Sequence, residues 1–196
     1  MEPKTPDEFA ALQKYKRSIL LSKDEITTLR KMKNSSLLSE KDSPVPLELR
    51  QKGFTGTDFF PILEKYQLRL KLQEYENPEP VQISLSNGQK MDALRAGYFA
   101  FELDGKKVRL HVYKKQVSDL ELFLPFRDKT SGKETYGAGR YLNLYKSPDD
   151  SYVVDFNLAY NPLCAFDEKK YDCPLPPTEN WLMDIEILAG EKKFKS

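Results

Sequence analysis

The sequence predicts a mostly β fold, an antiparallel barrel or curved sandwich carrying a short N-terminal helical segment. Three observations carry that expectation. From Gln67 onward apolar residues recur at every second position, the alternation of half-buried strands. Helical periodicity is confined to the chain before Asn34. The segments between the apolar runs hold turn residues such as Asn87-Gly88 and Asp104-Gly105, not helices long enough to return a parallel strand.

Taken in order, Pro6 and Asp7 supply a helix start, and Phe9, Leu12 and Tyr15 or Lys16 begin a three-to-four-residue apolar spacing. Ser22 with Glu25 three residues later reads as a capping box opening a second helix, Lys23 to about Met32. Asn34 to Pro46, rich in Ser, Lys and Pro, reads as a linker. Residues 1–45 are thus expected to be a helical segment and linker, and residues 46–196 a single β-rich domain. The two helices read as separable, packing outside the domain or serving a partner.

Leu68, Leu70 and Leu72 alternate with polar residues, and Val81, Ile83 and Leu85 do the same before the turn Ser86-Asn87-Gly88-Gln89. Phe99, Phe101 and Leu103 form a third run. Asp104-Gly105 turns it into Val108, Leu110 and Val112, a two-residue hairpin signal. Leu120, Leu122 and Leu124 make a fifth strand. Arg140 to Tyr145, Tyr152 to Phe156 and Trp181 to Leu188 complete the set, with Trp181, Met183, Ile185 and Ile187 on one face and Trp181 expected in the core.

A chain of 196 residues with 39% apolar side chains suits one domain. Its 31 basic and 30 acidic residues leave a net charge of +1, which argues against a nucleic-acid partner. No apolar run approaches the ~20 residues needed to cross a bilayer, and no signal sequence is visible. The expectation is a cytoplasmic protein with no membrane association and no cofactor. His111 is the lone histidine and is expected to be a partly exposed pleat residue. Two cysteines are too few for a disulfide framework or a structural zinc site, so no metal is expected.

The segment Phe126 to Lys192 differs from the rest. Phe126-Arg127-Asp128-Lys129-Thr130-Ser131-Gly132-Lys133-Glu134-Thr135-Tyr136-Gly137-Ala138-Gly139-Arg140 packs polar residues and glycines between two apolar strands. Asp155-Phe156-Asn157-Leu158-Ala159-Tyr160-Asn161-Pro162-Leu163-Cys164, then Cys173-Pro174-Leu175-Pro176-Pro177-Thr178-Glu179-Asn180, then Ile187-Leu188-Ala189-Gly190-Glu191-Lys192 follow. Together these strings resemble the C-terminal part of domain of unknown function 1684, a family of bacterial and archaeal proteins. The resemblance extends more faintly upstream through Gly53 to Phe60. Many members carry a further N-terminal module, which this chain is expected to lack. The resemblance implies no reaction.

The residues themselves suggest where a site would lie. Gly137 and Gly139 could fold a turn whose backbone N–H groups form an anion nest beside Arg140. The plainer alternative is a tight turn with Arg140 paired to Glu134 or Asp128. Asp155 and Asn157 share one face of their strand. With Asn161 and Asn180 they could pin loops, or Glu134, Arg140 and Asp155 could converge with Tyr136 on a small polar ligand. Cys164 and Cys173 bracket one loop, as a disulfide in an oxidising setting or as two reduced thiols in a cytoplasm.

The leading expectation is a β-barrel module that binds a small polar or anionic molecule. One alternative is a metal-independent hydrolase or isomerase, with Glu134 or Asp155 as base and Tyr136 or Arg140 stabilising developing charge. The other is a structural or partner-binding protein.

Overall fold

The structure, a computed structural model, describes residues 18–39 and 43–194. The first expected helix, beginning at Pro6, lies outside the described residues. The second is α1, Lys23–Ser39. Its capping box forms as read: the Ser22 N–H and hydroxyl both donate to Glu25 Oε2 at 2.9 Å, and the Glu25 N–H donates back to Ser22 Oγ at 3.3 Å. The helix runs about two turns beyond Met32, through residues read as linker. Packing supplies the reason: Leu37 is buried against Val45 and Phe166, so burial outweighs the weak helix propensity of Asn34-Ser35-Ser36. A short helix α2, Leu47–Gln51, follows.

Eight strands then appear among the described residues. They are β1 (Gln67–Leu70), β2 (Gln73–Ser84), β3 (Lys90–Leu103), β4 (Lys106–Lys114), β5 (Glu121–Asp128), β6 (Arg140–Tyr145), β7 (Tyr152–Asp155) and β8 (Trp181–Leu182). The chain is therefore mostly β, with antiparallel sheets and few helices. Strands β2 to β6 form one antiparallel meander, and β1 pairs antiparallel with β7, Gln67 opposite Asp155 and Leu70 opposite Tyr152. Among the described residues no ladder joins β2 to β6. The Asp104-Gly105 turn is as predicted, with φ of 48° and 76°, both positive as the tight hairpin demands.

The inner face of the meander and the β1–β7 pair share one core, in which Phe99, Leu110, Val112, Leu122, Leu124, Phe126, Val154 and Phe156 are buried. Where β4 and β5 diverge, their ladder shrinks to Tyr113 opposite Phe123. The side chain of Asn180 fills the gap. It accepts from the His111 N–H at 2.8 Å and donates to the carbonyls of His111 at 2.8 Å and Pro125 at 2.7 Å. One amide thus replaces the missing rungs.

The C-terminal expectation is corrected. Only Trp181 and Leu182 form a strand, paired in parallel with Arg127 and Asp128 of β5. A turn at Leu182–Ile185 then breaks the alternation, the Ile185 N–H bonding to the Leu182 carbonyl at 3.1 Å. Trp181 and Met183 consequently lie 41% and 50% exposed, while Ile185 and Ile187 are buried. Trp181 is a surface residue, its indole N–H donating to the Pro176 carbonyl at 2.8 Å and its ring lying beneath Arg127. Residues 185–191 run as an irregular strap.

His111 is likewise not the partly exposed pleat residue expected. It is buried against Tyr75 and Tyr98, with its Nδ1 3.3 Å from the Tyr75 hydroxyl. Burial, followed by the charge of Arg95, lowers its pKa below the ordinary 6.5; Glu179 and Glu79 act in the opposite sense and Arg109 in the same one. The fold therefore favours the neutral ring. Below the unfolded value protonation pulls toward the unfolded chain, so stability falls as pH drops through about 6.5. We expect the midpoint of thermal unfolding to fall less steeply across that window in His111→Phe than in the wild type. Parallel slopes would show that this ring does not carry the dependence.

Candidate functional site

The polar residues singled out in the sequence separate into two places. The first is a closed knot around Arg140, which is fully buried. Its Nη2 donates to Asp128 Oδ1 at 3.3 Å and to the Ile187 carbonyl at 3.0 Å, and its Nη1 donates to the carbonyls of Ala189 and Glu191. Asp128, also fully buried, accepts from the Thr130 hydroxyl at 2.9 Å and from the Ile187 N–H at 2.7 Å. The pair thereby provides partners for a strap that has no regular strand neighbour. Burial lowers the Arg140 pKa and the Asp128 charge opposes that shift.

Glycines beside the knot are used for packing. Gly139 sits at φ +102°, where an added Cβ would lie 2.6 Å from the Phe126 carbonyl, and its N–H is spent on the Tyr136 carbonyl at 3.1 Å. Gly137 has no positive φ, and an added Cβ would meet only Gly132, in ordinary contact at 3.7 Å. Glu134 is exposed, and Arg140 pairs with Asp128 instead. The Tyr136 hydroxyl reaches Cys164 Sγ at 3.9 Å and Glu168 at 3.4 Å. Glu134, Tyr136, Gly137, Gly139 and Arg140 do not meet Asp155, and the convergence expected of Glu134, Arg140 and Asp155 does not occur. The physical reason is local: the strap needs the guanidinium's donors, so Arg140 turns into the core.

The second place is a cavity of about 740 Å³ between α1, β6, β7 and the chain that follows β7. Its walls are apolar, built from Leu29, Leu142, Leu144, Val153, Leu158 and Phe166. Asp155, Asn157 and Asn161 contribute its polar end, together with Arg30, Lys33 and Glu191.

The polar side chains there, Lys33 apart, are positioned by backbone. Asp155 ends β7 and caps a 3-10 turn, Phe156–Leu158: its Oδ1 accepts from the Asn157 N–H and Nδ2, both at 2.9 Å, and its Oδ2 accepts from Gln67 Nε2 at 2.9 Å. The Asn157 amide pairs with the Leu63 backbone in both directions, at 3.0 and 3.1 Å. The Asn161 N–H donates to Glu191 Oε2 at 2.8 Å and its Nδ2 to the Lys192 carbonyl at 2.8 Å. Glu191, 1% exposed, also takes an ion pair from Lys33. Arg30 donates to the carbonyls of Phe60 at 2.7 Å and Asn157 at 3.0 Å while stacking on Phe59. Burial raises the Asp155 pKa against the lowering effects of Gln67, Asn157 and Arg30, and burial lowers that of Arg30.

Arg30, Lys33 and Glu191 were not among the candidates. A signal existed for two of them. Ile26, Arg30, Lys33 and Leu37 fall at spacings of four, three and four, one stripe of α1 on which two cations interrupt two buried apolar residues. Charges on the inward stripe of a helix are a better pointer than glycines in a turn.

Cys164 and Cys173, the thiol pair read from the sequence, are free and buried. No described helix is long and apolar enough to cross a membrane.

The pattern of the family described as protein of unknown function (DUF1684) matches residues 52–192, and the chain belongs to that family. An uncharacterised protein of Haloarcula marismortui, solved by solution NMR, is 35% identical and superposes with a TM-score of 0.65 over 86% of this chain and 92% of its own. No curated protein matches the chain.

Proposed function

We propose that this DUF1684 chain is a binding module for a small, largely apolar molecule, held between α1 and the β6–β7 surface. The observation that carries the reading is the cavity itself. A volume of about 740 Å³ lies within the ~300–1,000 Å³ range of small-molecule sites, and apolar walls with a few fixed polar groups at one end are the usual makeup of such sites. The polar or anionic ligand expected from the Gly-Ala-Gly-Arg turn loses its main support once Arg140 is spent on the strap. We infer further that the two sheets close over the core as a curved sandwich, a reading supported by the apolar set that β1, β7 and the meander share.

A carboxylate-based hydrolase or isomerase is the weaker reading, because both oxygens of Asp155 are already engaged by fixed donors. A helical docking arm also has less support, since Arg30, Lys33 and Asn34 tie α1 to the body of the protein.

The test uses 1-aminoanthracene, a neutral three-ring fluorophore. Titration is expected to saturate at one equivalent per chain with a blue-shifted emission. Ser36 faces the cavity from α1, and Ser36→Trp should fill the space and weaken binding at least ~10-fold, about 1.4 kcal/mol, with thermal unfolding unchanged. Binding that never saturates, or that ignores the added indole in a folded variant, would rule the reading out.

A further inference from the structure

We propose that Cys164 and Cys173 form a modification site, a spatially adjacent dithiol that a hydroperoxide converts into an intramolecular disulfide. Both residues are free and buried, and the Cys164 N–H donates to Cys173 Sγ at 3.1 Å. That contact brings the second sulfur against the backbone of the first residue, so the two side chains start from neighbouring positions.

Each cysteine is held there by its own anchors. Cys164 lies in the middle of the 3-10 turn Leu163–Ala165. Cys173 is clamped to the β2–β3 turn, its N–H donating to Ser86 Oγ and its carbonyl accepting from the Ser86 N–H, both at 3.0 Å. The intervening residues 165–172 contribute Phe166 to a buried cluster with Leu37 and Val45, which holds the loop against the body.

The two sulfurs are chemically unequal. The Cys164 thiol, donating toward Cys173, lowers the Cys173 pKa, with help from the Cys164 N–H and against burial and Asp172. The same hydrogen bond and burial push the Cys164 thiol up. The Tyr136 hydroxyl, itself next to Glu168, faces Cys164. Cys173, whose sulfur accepts the Cys164 N–H at 3.1 Å, is therefore the nucleophile and Cys164 the resolving thiol.

The oxidant must be small, because Cys173 is only 6% exposed. The Cys173 thiolate attacks one peroxide oxygen, forming an S–O bond while the O–O bond breaks and hydroxide leaves. The Cys164 sulfur then attacks the resulting sulfenic acid. The S–S bond forms, the S–O bond breaks, and the Cys164 proton leaves with the hydroxyl as water. Two thiols lose two electrons and one hydrogen peroxide becomes two waters. The cavity plays no part in these steps, so the proposal stands whether or not a ligand binds there.

The experiment exposes the full chain to hydrogen peroxide, then denatures and alkylates it. In the wild type both thiols are expected to react before exposure and neither after, with an intact monomer two hydrogens lighter, a Cys164–Cys173 linkage by peptide mapping, and full recovery by dithiothreitol. In Cys164→Ser the oxidised Cys173 should be captured by dimedone. In Cys173→Ser the remaining thiol should react with peroxide at least ~10-fold more slowly. The wild-type linkage map decides the matter even if a variant fails to fold. Thiols that survive exposure, disulfides between chains, or irreversible oxygen adducts without a linkage would overturn the proposal.

Discussion

Arg140→Met is expected to cost about 3–5 kcal/mol of unfolding free energy, the largest loss of any substitution considered for this chain. Methionine fills much of the volume but offers no donors. It leaves the Asp128 carboxylate buried without its cationic partner and takes donors from the carbonyls of Ile187, Ala189 and Glu191. Against a typical total of ~5–15 kcal/mol, such a loss removes a large part of the protein's stability. The mechanism predicts a partial rescue. Adding Asp128→Asn to Arg140→Met removes the orphaned charge and should recover about 1 kcal/mol or more, as urea unfolding of the double-mutant cycle would reveal. If Arg140→Met alone costs less than about 1 kcal/mol, the guanidinium is not what fastens the C-terminal strap.

Asn180→Leu is the next largest, at about 2–4 kcal/mol. Three buried hydrogen bonds disappear together, and the His111 N–H and the His111 and Pro125 carbonyls lose a partner where β4 and β5 no longer pair. Leucine is close in size, so the effect separates hydrogen bonding from packing. Amide exchange gives the local readout. The His111 amide should lose protection well beyond the global change in stability, while the amide of Val108, paired in the β3–β4 ladder, should follow the global change. Equal loss at both positions would mean that Asn180 does not act as the local rung.

Most of the strands could be read from period-two alternation because each buries one face against a common core. Asp104-Gly105 could be read because a two-residue turn needs two positive φ values. The strap after Leu182 could not. Its alternation of Trp181, Met183, Ile185 and Ile187 matches a strand, and only the distant Asp128–Arg140 pair reveals why the chain leaves that path. His111 was misplaced for a similar reason: both faces of β4 are covered here, the outer one by Tyr75, Tyr98 and the segment bearing Asn180.

The candidate site was legible in half. Asp155, Asn157 and Asn161 were found as polar residues in a short segment, and all three line the cavity. Arg140 and its glycines were grouped with them on proximity along the chain, which says nothing about where a side chain turns. Taken singly, Arg30 and Lys33 carry no signal of their own in a helical segment that reads as separable. The residues that unite α1 with the body are long-range partners, Lys33 with Glu191 and Asn34 with Thr57, and such pairs leave no local pattern.

The proposed binding role turns on whether the hollow beneath α1 accepts a guest. Amide chemical-shift mapping of the labelled protein during addition of 1-aminoanthracene tests this most directly. The predicted result is a saturable set of shifts at Arg30, Lys33, Leu142, Leu144, Val153 and Leu158, with the Asp104-Gly105 hairpin and Trp181 unmoved. Shifts centred on Trp181 or the outer face of the meander, or none at a probe concentration that saturates the fluorescence, would contradict it.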